Sequence, residues 1–290
     1  MLDASVVVVN WNAGASLGRC LASLGAEPHE VVLVDNASTD GSTAAAGARF
    51  PGLRVVETGR NLGFAAGANR GAAAAHGEVL VFLNPDARVL RGAIAMLLDA
   101  LAVAPAAGIA GGGLVSESGR WQPASAHFGP MRHLLLDTTL GRLGARWRRA
   151  PHRVDWVYGT FMAVRRDLFQ QLGGFDPRYF LYGEDMDLCY RAAQVGARTI
   201  LVPQARAIHG GNLSAAARFG TGREAEVVRG EMRFYAVRGG RRTLGVFRTV
   251  AACKFGLKAA LAAALGRPAA AAAYGQVVRA CLAFGHEVGA

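Results

Sequence analysis

The stretch Ser5-Val6-Val7-Val8-Val9-Asn10 decides the fold, because it is too short for a helix and rich in β-branched residues. Glu30-Val31-Val32-Leu33-Val34-Asp35 repeats this strand pattern, and Glu78-Val79-Leu80-Val81-Phe82-Leu83 repeats it again. A helical pattern from Ser16 to Leu24 separates the first two runs. Apolar strands that alternate with helices are typical of a parallel sheet covered on both faces, so the sequence predicts an α/β fold with a mostly parallel central sheet.

Polar side chains close these predicted strands. Asn10 ends the first strand, Asp35 ends the second, and Asn84-Pro85-Asp86 follows the third. In open α/β sheets, ligands bind beyond the carboxyl ends of the strands. We therefore expect these polar groups to converge on one crevice.

An acidic stretch, Gly183-Glu184-Asp185-Met186-Asp187-Leu188-Cys189-Tyr190-Arg191, stands where another helix is predicted to begin. Its acids lie at the positive end of that helix, where carboxylates tend to remain ionised. A general base needs that state, which makes Asp185 the first candidate for catalysis. The alternative is that Glu184 and Asp185 only cap the helix while Asp187 pairs with Arg191.

Three further side chains suggest nucleotide and metal binding. Asp35 can accept a hydrogen bond from the imide N–H of a pyrimidine base, with Asn10 beside it, or it can cap the following helix. Asp86 follows a rigid proline and offers a hard oxygen ligand for Mg²⁺ or Mn²⁺ shared with a substrate's diphosphate. His209 would add a nitrogen ligand that favours Mn²⁺, although a lone histidine is more often a surface or core residue.

Other cofactor classes lack their signatures. Trp11-Asn12-Ala13-Gly14 follows the first strand in place of a GxGxxG turn, which disfavours a nicotinamide or flavin enzyme. No GK[ST] sequence occurs, so a P-loop is absent. The cysteines stand alone, without CxxC spacing, and are expected to be buried thiols rather than disulfides or zinc ligands: Cys20, Cys189, Cys253 and Cys281.

The net charge of +11 is concentrated toward the C-terminus. Residues 206–290 hold thirteen basic and four acidic residues, and 13 − 4 leaves +9. A second basic cluster consists of Arg132, Arg142, Arg146, Arg148, Arg149 and Arg153. Such patches suit membrane lipid, a diphosphate-bearing substrate or nucleic acid. Since no nucleic-acid-binding motif is visible, no nucleic acid partner is expected.

Two segments are harder to assign. Residues 121–153 mix Pro, Gly, His and Arg, which favours a mobile insertion that acts as a lid or faces the acceptor. The apolar run 243–265 is interrupted by Arg248, Lys254 and Lys258, so it is a poor membrane-spanning segment. The basic tail either lies on an anionic membrane surface or forms a plain helical cap. Met1-Leu2-Asp3 begins no signal peptide, so the predicted location is cytoplasmic, with peripheral attachment to the cell membrane.

Five stretches taken together point to a known family. They are Val8-Val9-Asn10-Trp11-Asn12, Val34-Asp35-Asn36-Ala37-Ser38-Thr39-Asp40-Gly41-Ser42, residues 61–71, Leu83-Asn84-Pro85-Asp86 and residues 174–191. In this order they resemble family 2 inverting glycosyltransferases, and most of all the rhamnosyltransferase-like branch. The resemblance spans residues 5–214 and leaves out the tail. It implies a GT-A fold that binds a UDP- or dTDP-sugar.

The resemblance also implies roles for individual residues. Asp35 resembles the acid that recognises the base, and Asp86 with His209 resembles the metal site for Mg²⁺ or Mn²⁺. Asp185 resembles the catalytic base that deprotonates the acceptor hydroxyl, with Glu184 positioning acceptor or base. The implied nucleotide contacts are Asn10, Asn36, Asn61 and Asn84. The implied cleft for the donor sugar and the acceptor is formed by Trp156, Gly159 and Thr160.

Two positions depart from the family pattern. Asn84 replaces the first acid of a DxD motif, a form that the rhamnosyltransferase-like branch also shows. Asn212 stands where the His-x-x-Gly-x-Ser pattern that begins at His209 has glycine, with Gly210 and Gly211 before it. The metal site would then depend on Asp86, His209 and the substrate phosphates.

The sequence thus predicts a glycosyltransferase domain over residues 1–220 and a helical basic extension over 221–290. Within the domain, residues 1–115 are expected to bind the nucleotide and residues 154–220 to hold the catalytic and acceptor groups. The favoured reaction moves L-rhamnose from dTDP-L-rhamnose to a glycan or polyprenyl-diphosphate-linked acceptor. A non-catalytic nucleotide-sugar or glycan-binding module at the membrane surface is the alternative, although such a module has no need for both Asp86 and Asp185.

Overall fold

A computed structural model describes residues 2–25, 30–130, 133–134, 150–210 and 219–284. The first half of its central sheet consists of parallel strands, which are β1 (Ala4–Asn10), β2 (Glu30–Asp35), β3 (Arg54–Glu57) and β4 (Val79–Leu83). β1 lies between β2 and β4, and β3 pairs with the other side of β2. The register sets Asn10 opposite Asp35. The predicted strands are found, and their carboxyl ends share one edge of the sheet.

Helices connect these strands: α1 (Ala15–Ser23), α2 (Ser42–Arg49) and α3 (Gly63–Ala74). Small residues let α3 pack closely against β1 and β2. At Gly71, an added Cβ would overlap the side chains of Val7 and Val34. The Gly- and Ala-rich sequence of α3 therefore serves close packing of helix on sheet.

The second half of the sheet is mixed. Its strands are β5 (Ala87–Val89), β6 (Ala107–Val115), β7 (Trp121–Gln122), β9 (His152–Val154), β11 (Phe161–Arg165) and β12 (Arg198–His209). Two short strands, β8 (Ser125–Ala126) and β10 (Trp156–Val157), lie outside it. The order in the sheet is β3-β2-β1-β4-β11-β6-β12-β5, and β8 pairs with β10 in a small separate sheet. β11 is antiparallel to both of its neighbours, whereas β12 is parallel to β6.

β12 is longer than the sequence predicts. The pattern indicates a strand only over Thr199-Ile200-Leu201-Val202, because Pro203 cannot donate to a ladder. In the structure a register shift between Val202 and Arg206 accommodates the proline, and pairing resumes as far as His209. His209 therefore ends a strand instead of standing in a loop.

The predicted mobile insertion over residues 121–153 is wrong at its start. β7 pairs with β6, and β8 pairs with β10, so residues 121–122 and 125–126 belong to sheets. Strands of two residues leave no periodicity to detect. Residues 131–132 and 135–149 lie outside the described residues, and with them the predicted basic cluster except Arg153.

Three helices pack on this half: α4 (Ala93–Val103), α5 (Arg166–Gln171) and α6 (Glu184–Gln194). α6 begins at Glu184 as predicted. One turn along it, Arg191 Nε lies 2.6 Å from the fully buried Asp187 carboxylate. Arg238 Nε lies 2.7 Å from the other oxygen of Asp187, so this carboxylate joins α6 to the C-terminal region.

The C-terminal region is helical: α7 (Arg223–Phe234), a π-helical turn (Tyr235–Gly239), α8 (Gly240–Ala264) and α9 (Pro268–Ala283). Its buried side chains belong to the same apolar cluster as those of the sheet. No helix in the described part of the chain is long and apolar enough to cross a membrane. The division of the chain at residue 220 stays a prediction.

The cysteines divide into two groups. Cys20, Cys189 and Cys281 are buried thiols, as expected, and burial raises the pKa of the Cys281 thiol to about 11. Cys253 on α8 is exposed instead.

Candidate active site

A cavity of about 530 Å³ opens at the carboxyl ends of β1 and β4. It is lined by every predicted site residue except Asn10 and Asp35. Those that line it are Asn36, Asn61, Asn84, Asp86, Trp156, Gly159, Thr160, Glu184, Asp185 and His209. The structure therefore brings together residues from both halves of the sheet.

Asn10 and Asp35 lie outside this lining and hydrogen-bond within the chain. Asn10 is fully buried, and its amide Nδ2 lies 2.9 to 3.1 Å from the hydroxyls of Ser38, Ser42 and Thr43. Asp35 Oδ1 accepts a hydrogen bond from the Ser38 backbone N–H at 3.0 Å. Both side chains shape the turn that follows β2. Their predicted contacts with a nucleotide stay predictions.

Asn36 and Asn61 connect that turn to the start of α3. The Asn36 side chain is buried, and its Nδ2 donates to Asn61 Oδ1 and to the Gly63 carbonyl, both at 3.1 Å. Its Oδ1 accepts from the Leu62 N–H at 2.9 Å and from the Thr58 hydroxyl at 3.2 Å. Both the nitrogen and the oxygen of the Asn36 amide are thus hydrogen-bonded within the chain, which fixes one wall of the cavity.

Gly63 brings the loop before α6 onto α3. Its φ of +81° is left-handed, and an added Cβ would overlap the Phe180 carbonyl oxygen. The same carbonyl accepts a hydrogen bond from the Phe64 N–H at 2.7 Å. This contact holds the loop that leads into Glu184 at the edge of the cavity.

Asn84 and Thr160 join the end of β4 to the start of β11. The Asn84 N–H donates to the Thr160 carbonyl at 3.0 Å, and the two side chains lie 3.5 Å apart. Trp156 stands on the same side of the cavity and is buried. Its indole Nε1 has no hydrogen-bond partner among the described residues.

Asp86 and His209 face each other at the rim. The pairing of β12 with β5 sets His209 opposite Ala87, which brings His209 beside Asp86. His209 Nε2 lies 3.5 Å from Asp86 Oδ1, and both side chains are buried. Gly211, Asn212 and Ser214 of the predicted pattern lie outside the described residues.

Gln122, on β7, holds His209 at two points. Its Oε1 lies 3.2 Å from His209 Nδ1, and its Nε2 donates to the His209 carbonyl at 3.3 Å. Because the Gln122 N–H₂ is directed to the carbonyl, its oxygen faces the ring and Nδ1 carries the proton. The lone pair of the imidazole then stands on Nε2, on the side of Asp86.

The chemistry of this group fits a divalent metal. His209 Nε2 is buried and has no hydrogen-bond partner within the described ranges. A ligating histidine donates its other ring N–H to a fixed acceptor, which is the arrangement that Gln122 imposes. The described residues contain no group of three or more His, Cys, Asp or Glu side chains with metal-ligand geometry. Among the described residues, protein ligation would therefore come from Asp86 and His209.

Asp185 lies at the first turn of α6 with both carboxylate oxygens oriented. Oδ2 accepts a hydrogen bond from the Gly159 N–H and Oδ1 from the Met186 N–H, each at 2.8 Å. Burial nevertheless raises the pKa of Asp185 to about 6. The lowering expected from the helix start is outweighed, although most of the carboxylate stays ionised at neutral pH.

Glu184 is buried beside Asp185. Burial, and then the neighbouring Asp185 carboxylate, raise the pKa of Glu184 well above its ordinary value. Its Oε2 has no hydrogen-bond partner in the described part of the chain, whereas Asp185 accepts two backbone N–H groups. Of these two neighbouring acids, Asp185 is therefore the one whose surroundings favour the ionised form.

The C-terminal helix α7 adds side chains that the sequence did not predict. Arg223, Val227 and Glu231 line the cavity. Glu231 pairs with the buried His133 at 2.9 Å, and its charge contributes to the raised pKa of Asp185. Burial raises the pKa of Tyr182, and the neighbouring Arg223 cation partly offsets this rise.

Comparison with known proteins gives a family and a fold. A sequence profile described as "Glycosyl transferase family 2" matches residues 5–173. The chain is 35% identical over 233 residues to an N-acetylglucosaminyl-diphospho-decaprenol L-rhamnosyltransferase of Mycobacterium tuberculosis, covering 70% of this chain and 75% of that protein.

Two solved structures share the fold. One is GalNAc-T7 with UDP, GalNAc and Mn²⁺, with a TM-score of 0.59 and 22% identity over 82% of this chain and 51% of the other. The other is a mannosyltransferase of Pyrobaculum calidifontis with GDP-Man and Mn²⁺, with a TM-score of 0.59 and 19% identity over 97% of this chain and 88% of the other. These likenesses confirm the predicted GT-A-type fold.

Proposed function

The chain belongs to glycosyl transferase family 2 and is a glycosyltransferase, and from that premise we propose that it transfers L-rhamnose from dTDP-L-rhamnose to an acceptor hydroxyl. Another hexose carried by UDP or dTDP is the alternative donor. The acceptor that we propose is a glycan or a polyprenyl-diphosphate-linked precursor. The mycobacterial relative, whose name contains both L-rhamnose and a diphospho-decaprenol, supports this choice.

One observation supports the proposal most strongly: of the buried side-chain polar atoms that lack a hydrogen-bond partner in the described part of the chain, five line this cavity. They are Trp156 Nε1, Tyr182 Oη, Glu184 Oε2, His209 Nε2 and Arg223 Nε. Leaving such atoms unpaired costs stability, so their concentration at one site indicates a ligand that pairs with them. Indole, phenol and guanidinium donors suit the oxygens of a sugar diphosphate.

We propose that Asp185 is the catalytic base. The N–H groups of Gly159 and Met186 hold its carboxylate in one orientation, and a pKa of about 6 leaves it ionised but basic at neutral pH. In the proposed step, Asp185 takes the proton of the acceptor hydroxyl. The hydroxyl oxygen bonds to the anomeric carbon, and the bond from that carbon to the diphosphate breaks on the opposite face, which inverts the configuration.

The residues around Asp185 have supporting roles in this proposal. Glu184, in its protonated form, donates a hydrogen bond to a sugar or acceptor oxygen. Arg223 pairs with the negative charge that grows on the departing diphosphate. Asp86 and His209 would hold Mn²⁺ or Mg²⁺, and the bound ion would neutralise that diphosphate as a Lewis acid. Mn²⁺ is favoured because imidazole is one of the ligands.

The proposal is tested by a panel of nucleotide sugars. Slow hydrolysis of dTDP-L-rhamnose that requires Mn²⁺ or Mg²⁺, with slower hydrolysis of UDP- and GDP-sugars, is the expected result. Equal hydrolysis with and without EDTA would contradict the proposed metal dependence. Faster hydrolysis of another nucleotide sugar would identify that sugar, and not L-rhamnose, as the donor. Binding of nucleotide sugars without any hydrolysis or transfer would favour the binding module.

We further propose that the enzyme is cytoplasmic and works at an anionic membrane surface, since the proposed acceptor is lipid-linked.

A further inference from the structure

The solvent-facing side of the C-terminal half of α8 is apolar where a surface helix is normally polar. Leu257, Leu261 and Leu265 follow one another at intervals of four residues, so their side chains share one side of the helix. They are 74%, 58% and 59% exposed, respectively. On neighbouring α9, Leu282 is 69% exposed. We call Leu257, Leu261 and Leu265 the leucine row.

Charge around the leucine row has one sign. Residues 240–284 contain seven basic residues and no acidic residue. Exposed arginines stand at both ends of the helix, with Arg241 and Arg242 at its start and Arg267 just after Leu265. Lys258 lies against the rings of Phe255 and Tyr274, with its Nζ at 4.9 and 5.3 Å from their centroids. An apolar row on a helix whose charged residues are all basic matches the interface of an anionic bilayer.

The hairpin of α8 and α9 is fixed to the domain that holds the cavity. Arg248 of α8 donates to the Cys281 carbonyl of α9 at 2.8 Å, and α9 packs on α7. α7 supplies Arg223 and Glu231 to the cavity wall. A surface that binds the hairpin would therefore be held at a set distance from the site.

We propose that the leucine row docks the protein on an anionic phospholipid bilayer, with the leucines in the interface and the arginines on the lipid phosphates. A second copy of the chain fits this face poorly, because a symmetric contact would bring like charges together. The purpose of docking, which is access to a lipid-linked acceptor, rests on the proposed function. The surface itself is argued from exposure and charge.

The test is co-sedimentation of the purified full chain with vesicles. We expect binding to vesicles that mix phosphatidylglycerol with phosphatidylcholine and at least about tenfold weaker binding to phosphatidylcholine alone. The triple variant Leu257→Ser, Leu261→Ser, Leu265→Ser should bind the anionic vesicles about tenfold more weakly or worse. Val103→Ser is the matched control, because Val103 is an exposed apolar side chain, 83% accessible, at the end of α4.

Opposite outcomes would overturn the proposal. Unchanged vesicle binding by the triple variant, or equal binding of the wild type to neutral vesicles, contradicts it. A wild-type dimer that the triple variant converts to monomer, without vesicle binding, would assign the leucine row to a second copy. If the triple variant melts early, Leu257→Ser alone replaces it. Donor hydrolysis in the absence of vesicles should be the same for all variants, so a failure of docking and a failure of the proposed function are told apart.

Discussion

The two walls of the cavity differ in what their polar side chains do. On the side of β1 and β2, the amide of Asn36 in the lining is hydrogen-bonded to the start of α3, and the amide of Asn10, outside the lining, is hydrogen-bonded to three hydroxyls. On the opposite side, Glu184, His209 and Arg223 each present a buried atom with no partner among the described residues. Polar side chains on the two sides of one cavity thus serve two purposes.

The hydrogen-bonded groups of the first wall stabilise the fold, whereas the unpaired groups of the second wall are available to a ligand. A saturated polar group rigidifies the fold, because removing it strands its partners. An unsatisfied buried group lowers the stability of the empty protein and becomes useful once a ligand pairs with it. We therefore expect substitutions in the first wall to reduce stability and substitutions in the second wall to reduce binding or catalysis.

The largest effect is expected for Asp185→Asn. Removing the base should lower the transfer rate about a thousandfold or more, because the neutral amide of asparagine cannot take up the acceptor proton. Donor affinity should remain within a few-fold of the wild type. Single-turnover kinetics and calorimetry with dTDP measure the two quantities separately.

For this variant, near-normal turnover would show that the base is assigned wrongly. A large loss of dTDP affinity would instead place Asp185 in donor binding. Gln171→Ala on α5, an exposed side chain, serves as the control for handling and folding.

The next effect is expected in the other wall, for Asn36→Ala. The substitution strands the Leu62 N–H and Gly63 carbonyl, which should lower the free energy of unfolding by about 2 to 4 kcal/mol. Below its melting temperature, the variant should keep a transfer rate close to that of the wild type. Urea unfolding and the transfer assay check both halves of the prediction, and full stability with lost catalysis would reverse the assignment of the two walls.

Gln122→Ala should weaken metal binding about 10- to 100-fold, because His209 loses the partner that fixes its tautomer and ring orientation. Titration of Mn²⁺ followed by electron paramagnetic resonance measures this without any turnover. Gln171→Ala again removes an amide, but from an exposed site far along the chain. Equal Mn²⁺ affinities in the wild type and Gln122→Ala would remove Gln122 from the metal site.

The smallest effect is expected for Glu231→Gln. Its negative charge contributes to the raised pKa of Asp185, so neutralising it should lower that pKa slightly. The pH below which transfer is lost should move down by the same amount. An upward shift would mean that Glu231 acts on the reaction through another group.

Much of the fold could be predicted from the sequence, and much of the second wall could not. The strands 4–10, 30–35 and 79–83 are uniformly apolar, and the residues that close them fall where a parallel sheet places its ligands. Asp185 and Asp86 were found because strand ends and helix starts are local features.

The residues that were missed depend on tertiary packing. Gln122 lies on a strand of two residues, too short for any periodicity. Arg223 and Glu231 belong to α7, whose sequence is that of an ordinary surface helix until it packs against the site. The raised pKa of Asp185 could not be predicted, because the helix start is visible in the sequence and the burial is not.

The pH dependence of single-turnover transfer, at saturating donor and Mn²⁺, tests the central claim most directly. The ionised form of Asp185 is the active one, and its pKa is raised to about 6. The rate should therefore be constant above neutrality and fall tenfold per pH unit below about 6. Two results would contradict the assignment of Asp185 as the base in this cavity. One is a rate that stays constant as the pH is lowered to 4, and the other is a rate that already decreases while the pH is lowered from 9 or 8 toward 7.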